Sequence, residues 1–197
     1  MNLPNKITMC RIVLSITLLV MLIFPFDMVG IHWPIYTLIG RININIQYIV
    51  GGIIFLVASL TDFLDGNIAR KRGLVTDFGK VMDAIADKVL VNGVLIILAC
   101  NGLISVIIPV IIITRDIFVD SIKMVAGSKG KAVGASILGK LKTICMMCGL
   151  TLIFFYNLPF ELININVAEG LLYVATILSI ISGVQYYLVN KEFFKEK

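Results

Sequence analysis

A single histidine, His32, is all the imidazole this chain has. Histidine is the commonest metal ligand and the side chain that titrates nearest neutral pH. Its scarcity leaves any acid–base chemistry to carboxylates, lysine or tyrosine. Cysteine is scarce as well: Cys10, Cys100, Cys145 and Cys148. Cys145-Met-Met-Cys148 has the spacing of a redox or zinc pair, but no second pair and no nearby histidine completes a site. Small-residue packing in apolar segments accounts for these cysteines. The one tryptophan, Trp33, stands between His32 and Pro34, as an aromatic anchor in an interfacial loop does. No Pro/Gly/Ser-rich linker, internal repeat or low-complexity tract divides the chain, so one domain over residues 1–197 is expected. Charged residues are only 15% of the sequence.

Apolar residues fill the space. The chain of 197 residues is 59% hydrophobic, with a mean hydropathy of +1.00. A soluble domain of this size has too little interior to hide that surface. Repeated apolar stretches of roughly 20 residues mark an all-α integral membrane protein, because open sheet edges are not tolerated in lipid. Six transmembrane helices are expected. The first runs from about Ile7 to Phe26, and the second from Ile46 past Asp62 towards Arg70. The third covers Gly79 to Cys100, and the fourth Leu103 to about Val125, with a kink at Pro109. The last two cover Ile137 to Tyr156 and Ala168 to Val189. Lys6 and Arg11 ahead of the first apolar run resemble a signal peptide, but no small-residue cleavage site follows, so a retained helix is expected.

The cations set the orientation. Lys6, Arg11, Arg70, Lys71, Arg72, Lys80, Lys123, Lys129, Lys131, Lys140, Lys142, Lys191, Lys195 and Lys197 all fall on one side of a six-span chain. Of the loop cations, Arg41 alone falls on the other. The positive-inside rule then puts both termini and the basic loops in the cytoplasm, in a cell membrane. The formal charge of +5 suits an anionic leaflet and calls for no nucleic-acid partner.

Against this background, four aspartates stand out. Asp62 and Asp65 are three apart, Asp83 and Asp87 four apart, with Gly79 four before Asp83. On helices each pair shares a face. The short link through Gly73 makes helices two and three antiparallel neighbours, so the two pairs can face each other. Uncompensated carboxylates at membrane depth are costly. Two divalent cations balance four aspartates, and an all-oxygen set suits Mg²⁺ or Mn²⁺. A structural ion network with Arg70, Lys80 and Lys88 is the other way to balance them. Gly66, Ala69 and Gly79 let backbones or a flat ligand approach closely.

Asp62-x-x-Asp65-Gly66-x-x-Ala69-Arg70, eight further residues, then Gly79-x-x-x-Asp83-x-x-x-Asp87 resembles the signature of the CDP-alcohol phosphatidyltransferases at all eight positions. The resemblance implies that family's six-helix bundle, a homodimer and a cytoplasm-facing site. It implies CDP-diacylglycerol as substrate, attacked by an alcohol at the β-phosphorus with CMP as leaving group. Asp62, Asp65 and Asp83 would chiefly hold two metal ions. Asp87 would approach them and act as catalytic base. Gly66, Ala69, Arg70 and Gly79 would line the cytidine-diphosphate pocket.

Three further features bear on the alcohol. Asn5, Thr8 and Arg11 recur every three residues on one helix face. They resemble the opening of bacterial family members that use glycerol 3-phosphate, and would border CDP-diacylglycerol; a helix cap and an interfacial anchor is the plainer reading. Arg115 lies within a span and needs an anionic partner: Asp116, Asp120 or a substrate phosphate. Gly139-Lys140-Leu-Lys142-Thr143 resembles the matching stretch of the same family members. With Lys123 and Lys131, these lysines would hold an acceptor phosphate, or else are positive-inside lysines on a solvated loop. Glycerol 3-phosphate is therefore the expected acceptor, with inositol phosphate, serine or phosphatidylglycerol as alternatives. An ion or proton transporter also keeps carboxylates in the membrane. The uncharged stretches Leu90–Cys100 and Leu103–Thr114 favour a one-sided cavity over such a path.

Overall fold

The computed structural model describes residues 3–38, 42–72, 77–128, 134 and 136–191, excluding the side chains of 3–4, 63–72, 77–78 and 80. Among the described residues there are six α-helices: α1 (Leu3–Ile23), α2 (Ile46–Arg72), α3 (Asp77–Cys100), α4 (Ile107–Ser128), α5 (Ile137–Phe154) and α6 (Val167–Asn190). Each is apolar over most of its length, and its backbone groups are satisfied within the helix, as a lipid solvent demands. Helix α1 packs on α2 and α3, α4 on α6, α5 on α6, and α2 on α5. Leu18, Phe55, Leu95, Leu98, Ile112, Leu150, Phe154 and Leu172 are buried where these helices meet. Val13, Val20, Val110 and Ile177 point outward. Between helices that gain no hydrophobic drive from one another in lipid, small residues make the contact. A Cβ on Gly52 would stand 2.8 Å from Phe154 Cβ, and one on Gly149 2.9 Å from the Leu172 side chain.

Among the described residues, three helices hold stretches long and apolar enough to cross a membrane: Asn5–Ile23, Ile137–Phe154 and Val167–Asn190. The apolar part of α2, Ile46–Asp62, is shorter. Asp83, Asp87 and Lys88 break the apolar run of α3, and Arg115, Asp116, Asp120 and Lys123 that of α4.

Several boundaries differ from expectation. Helix α4 starts at Ile107 rather than Leu103. Gly102, at φ 71°, ends α3, and the Leu103 N–H returns to the Leu98 carbonyl. Pro109 therefore sits in the first turn of α4, where its missing N–H has no acceptor to lose, and calls for no kink. Helix α1 ends ahead of Pro25. The sequence reading also missed a hairpin. Strands β1 (Ile35–Leu38) and β2 (Ile42–Asn45) pair antiparallel with Tyr36 opposite Ile44. Its period-two signal, Ile42-Asn43-Ile44-Asn45, is only four residues long. The hairpin is tied to the far end of α5 by the Asn45 N–H, which donates to the Tyr156 hydroxyl at 2.7 Å. Trp33 packs edge-on against Phe26 with ring centroids 5.5 Å apart.

Candidate active site

Helices α2 and α3 are in contact, and the aspartates belong to the C-terminal part of α2 and the N-terminal half of α3. Asp62 projects from α2; Gly79, Asp83 and Asp87 follow one another at single-turn intervals along α3. Helix α1 supplies the cation between them. Arg11 Nη1 donates to Asp62 Oδ1, and Nη2 to Asp83 Oδ1. The guanidinium is 1% exposed, whereas the two carboxylates are 40% and 45% exposed. A cation buried in an apolar bundle needs such partners, and the carboxylates keep an open side towards water. Thr8, one turn before Arg11, is also buried on this face. Asn5 stands a turn earlier, half-buried.

Among the described residues, Arg11 is the cation that meets Asp62 and Asp83, from 51 and 72 residues away; the side chains of Arg70 and Lys80 lie outside them. Lys88, weighed above for the same task, pairs with Asp120 instead. Asp65, Gly66, Ala69 and Arg70 lie along α2 beyond Asp62, their side-chain positions outside the described residues, and Lys131 is outside them altogether. Among the described residues no group of three or more His, Cys, Asp or Glu stands close enough to hold a metal ion. The donor chemistry nevertheless fits one. Carboxylate oxygens from two helices converge on a single positive centre, and hard oxygen donors of this kind are what Mg²⁺ and Mn²⁺ prefer.

Asp87 opens onto a second feature, a cavity of ≈ 250 Å³ between α3, α4, α5 and α6. Arg115, Lys123, Lys140 and Lys142 line it, with Lys88, Asp116 and Asp120. Two carboxylates of α4, one turn apart, hold the cations. Asp116 accepts from Lys142 Nζ at 2.7 and 2.9 Å and from Arg115 Nη1 at 2.9 Å. Asp120 takes Lys88, and Lys123 Nζ stands 3.7 Å away. Lys142 is 5% exposed, so it is no solvated loop lysine. Arg115 finds its anionic partner in Asp116. Lys140, on the opposite flank of α5, also reaches the rim.

Thr143, part of the stretch singled out above, lines the cavity too, and sequence reasoning missed three further lining groups: Ser136, Asn92 and Tyr186. Ser136 caps α5, accepting from the Gly139 N–H at 3.0 Å. The Tyr186 hydroxyl accepts from the Ser136 N–H at 3.0 Å and donates to the Gly134 carbonyl at 2.7 Å, pinning the α4–α5 loop to α6. The available signal was a cluster of serine, glycine and tyrosine in an otherwise apolar α6.

The family model for CDP-alcohol phosphatidyltransferase matches residues 1–181. The chain is 38% identical to the CDP-diacylglycerol–glycerol-3-phosphate 3-phosphatidyltransferase of Bacillus subtilis, over 98% of this chain and 97% of that one. It is 33% identical to the protein of the same name from Rickettsia bellii, over 98% of this chain and 97% of that one. Among solved structures, the phosphatidylinositol phosphate synthase of Mycobacterium tuberculosis with CDP-DAG bound superposes with a TM-score of 0.61. That match covers 95% of this chain and 85% of that one at 22% identity, a likeness of fold. The same protein in complex with manganese and citrate gives a TM-score of 0.60 at 19% identity, over 98% of this chain and 86% of that one.

Proposed function

The chain belongs to the CDP-alcohol phosphatidyltransferase family, and from that premise we propose that it transfers the phosphatidyl group of CDP-diacylglycerol to sn-glycerol 3-phosphate. The products are phosphatidylglycerophosphate and CMP, which makes the chain an enzyme of phospholipid biosynthesis. The B. subtilis and R. bellii relatives bear the name of this reaction over nearly their whole length.

The observation that carries the acceptor is the cavity beside Asp87. A carboxylate stands on one wall, and Arg115, Lys123, Lys140 and Lys142 stand on the others. An alcohol that carries its own phosphate fits such a lining: the phosphate meets the cations and the hydroxyl turns towards Asp87. A neutral alcohol brings no charge to those cations, and a zwitterion such as serine brings an ammonium into the same lining along with its carboxylate. Asp87 takes the hydroxyl proton at a carboxylate oxygen as the new O–P bond forms and the bond from phosphorus to CMP breaks. Asp62, Asp65, Asp83 and Asp87 would hold Mg²⁺ or Mn²⁺, two ions in this reading, which when bound supply charge stabilisation for phosphoryl transfer. Asn5, Thr8, Arg11, Gly66, Ala69, Arg70 and Gly79 border the nucleotide; Arg70 offers a guanidinium fork to its phosphates.

The remaining parts of the reading follow from composition and family. The chain forms a single membrane-embedded domain of six spans in the cell membrane. In α3 and α4 the charges lie in or near the cytoplasmic half, so both cross despite them. Both termini and the site face the cytoplasm, and the working unit is a homodimer.

The direct test is CMP release by purified protein in detergent micelles with CDP-diacylglycerol and Mg²⁺. Glycerol 3-phosphate, inositol phosphate, serine, phosphatidylglycerol and no acceptor are compared. Release with glycerol 3-phosphate alone, abolished by chelator, is the expected result; release with another alcohol would change the acceptor, and release with none would overturn the reading. Within this assay Arg115→Ala is expected to raise the apparent KM for glycerol 3-phosphate roughly 10–100-fold, the loss of one or two charge-assisted hydrogen bonds. An effect confined to CDP-diacylglycerol would put Arg115 in the other pocket.

A further inference from the structure

Arg115 belongs to α4, but α6 holds it in place. Ser179, Ser182, Gly183 and Tyr186 fall at the i, i+3, i+4 and i+7 positions of one helix face. Ser179 and Ser182 are fully buried and Tyr186 nearly so. Each of the four touches the arginine. The Nε–H of Arg115 donates to the Ser179 carbonyl at 3.1 Å, and Nη2 donates to Ser182 Oγ at 2.6 Å. The Ser182 hydroxyl proton is committed to the Ser179 carbonyl at 3.1 Å, so its oxygen is turned to accept. At Gly183 the arginine stem lies directly on the helix: a Cβ there would stand 3.0 Å from Arg115 Cγ. The Tyr186 ring centroid is 5.7 Å from Arg115 Cζ and 5.8 Å from Lys123 Nζ, so one ring faces two cavity cations.

We propose that this face of α6 is a seat that fixes the Arg115 guanidinium for recognition of the acceptor's phosphate, with Ser182 and Gly183 as positioning residues. The proposal rests on the acceptor reading given above. A guanidinium has five N–H donors. Three are engaged, by Ser179, Ser182 and Asp116. One N–H on each terminal nitrogen has no acceptor among the described residues, and both belong to a side chain that lines the cavity, where an anionic phosphate can accept from them. The seat thus does two things. It spends the donors that face α6, and it removes most of the rotamer freedom that a long side chain otherwise loses on binding. A structural arginine that only ties α4 to α6 has no use for a cavity-facing remainder.

The test is steady-state kinetics of Gly183→Ala and Ser182→Ala, with Gly170→Ala as control on the same helix, where an added Cβ meets nothing within 4 Å. Melting temperatures are taken alongside. Gly183→Ala is expected to raise the KM for glycerol 3-phosphate about tenfold, as for one displaced charge-assisted hydrogen bond. The KM for CDP-diacylglycerol stays put, and the melting temperature holds or rises because alanine favours the helix. Ser182→Ala, which only removes an atom, is expected to move the same KM in the same direction, and the Gly170→Ala control to move neither. If the KM for glycerol 3-phosphate stays at the wild-type value, or both KM values rise together with a lowered melting temperature, the seat is merely structural and the proposal falls. Failure of the acceptor reading would show differently, in wild-type protein that prefers an unphosphorylated alcohol, and would take the proposal with it.

Discussion

Asp87→Asn is expected to lower kcat by about 10²–10⁴-fold, the usual worth of a positioned general base, while leaving nucleotide binding largely intact. The side chain keeps its shape and loses only its ability to take a proton. Among the described residues, Asp87 is the signature aspartate that borders the cation-lined cavity, and it stands a single turn from Asp83. It therefore joins the two halves of the site: the carboxylates that meet Arg11 and the cavity that would take the acceptor. CMP release in single turnovers, with CDP-diacylglycerol binding measured separately, checks this. Undiminished turnover would remove Asp87 from the chemistry, because no imidazole lies nearby to replace it: His32 belongs to the loop beyond α1. Binding lost together with turnover would instead assign Asp87 to holding metal or nucleotide.

Asp83→Ala is expected to reduce turnover by roughly two orders of magnitude or more, the loss of several kcal/mol of charge stabilisation that a properly held ion supplies, and to weaken Mg²⁺ dependence. The same change removes one of the carboxylates that the buried Arg11 guanidinium meets. A lost hydrogen bond to a charged group costs about 1–3 kcal/mol, part of which water recovers at the half-exposed Asp83 position. Arg11→Ala is the complementary experiment. It takes the buried guanidinium away from Asp62 and Asp83, so the protein should melt lower in chelator. Stability should then rise more steeply with added Mg²⁺ than in wild type, since a ligand that binds only the folded state stabilises by mass action. Parallel Mg²⁺ dependences in Arg11→Ala and wild type would show that Arg11 and the metal act independently. A metal dependence untouched in Asp83→Ala would take that residue out of the ion-binding set.

Much of the site was legible because a helix has a fixed period. Once Ile46–Arg72 and Asp77–Cys100 are helices, the spacings from Asp62 to Arg70 and from Gly79 to Asp87 place those residues at known turns. The basic residues around α4 and α5 were legible as a group for a similar reason, since a short loop must keep its neighbours on one side of the bundle. The start of α4 was misplaced because Asn101, Gly102 and Ser105 are short polar interruptions within an apolar background. Hydropathy averages over them, whereas Gly102 at positive φ stops the helix. The hairpin was missed because four-residue strands give almost no period to read.

Sequence by itself determined which side chains are on offer: a cluster of aspartates, almost no imidazole, and the signature of the family to which the chain belongs. Tertiary structure alone decided which groups meet. Nothing in the local pattern tells Arg11 to insert between Asp62 and Asp83, or Asp116 to bridge Arg115 and Lys142, or the serines of α6 to receive Arg115. Periodicity fixes the face on which a side chain lies. Which neighbour that face meets depends on how each helix is rotated and packed, and in an apolar solvent small residues such as Gly52 and Gly149 settle that by how closely they let a neighbouring segment approach.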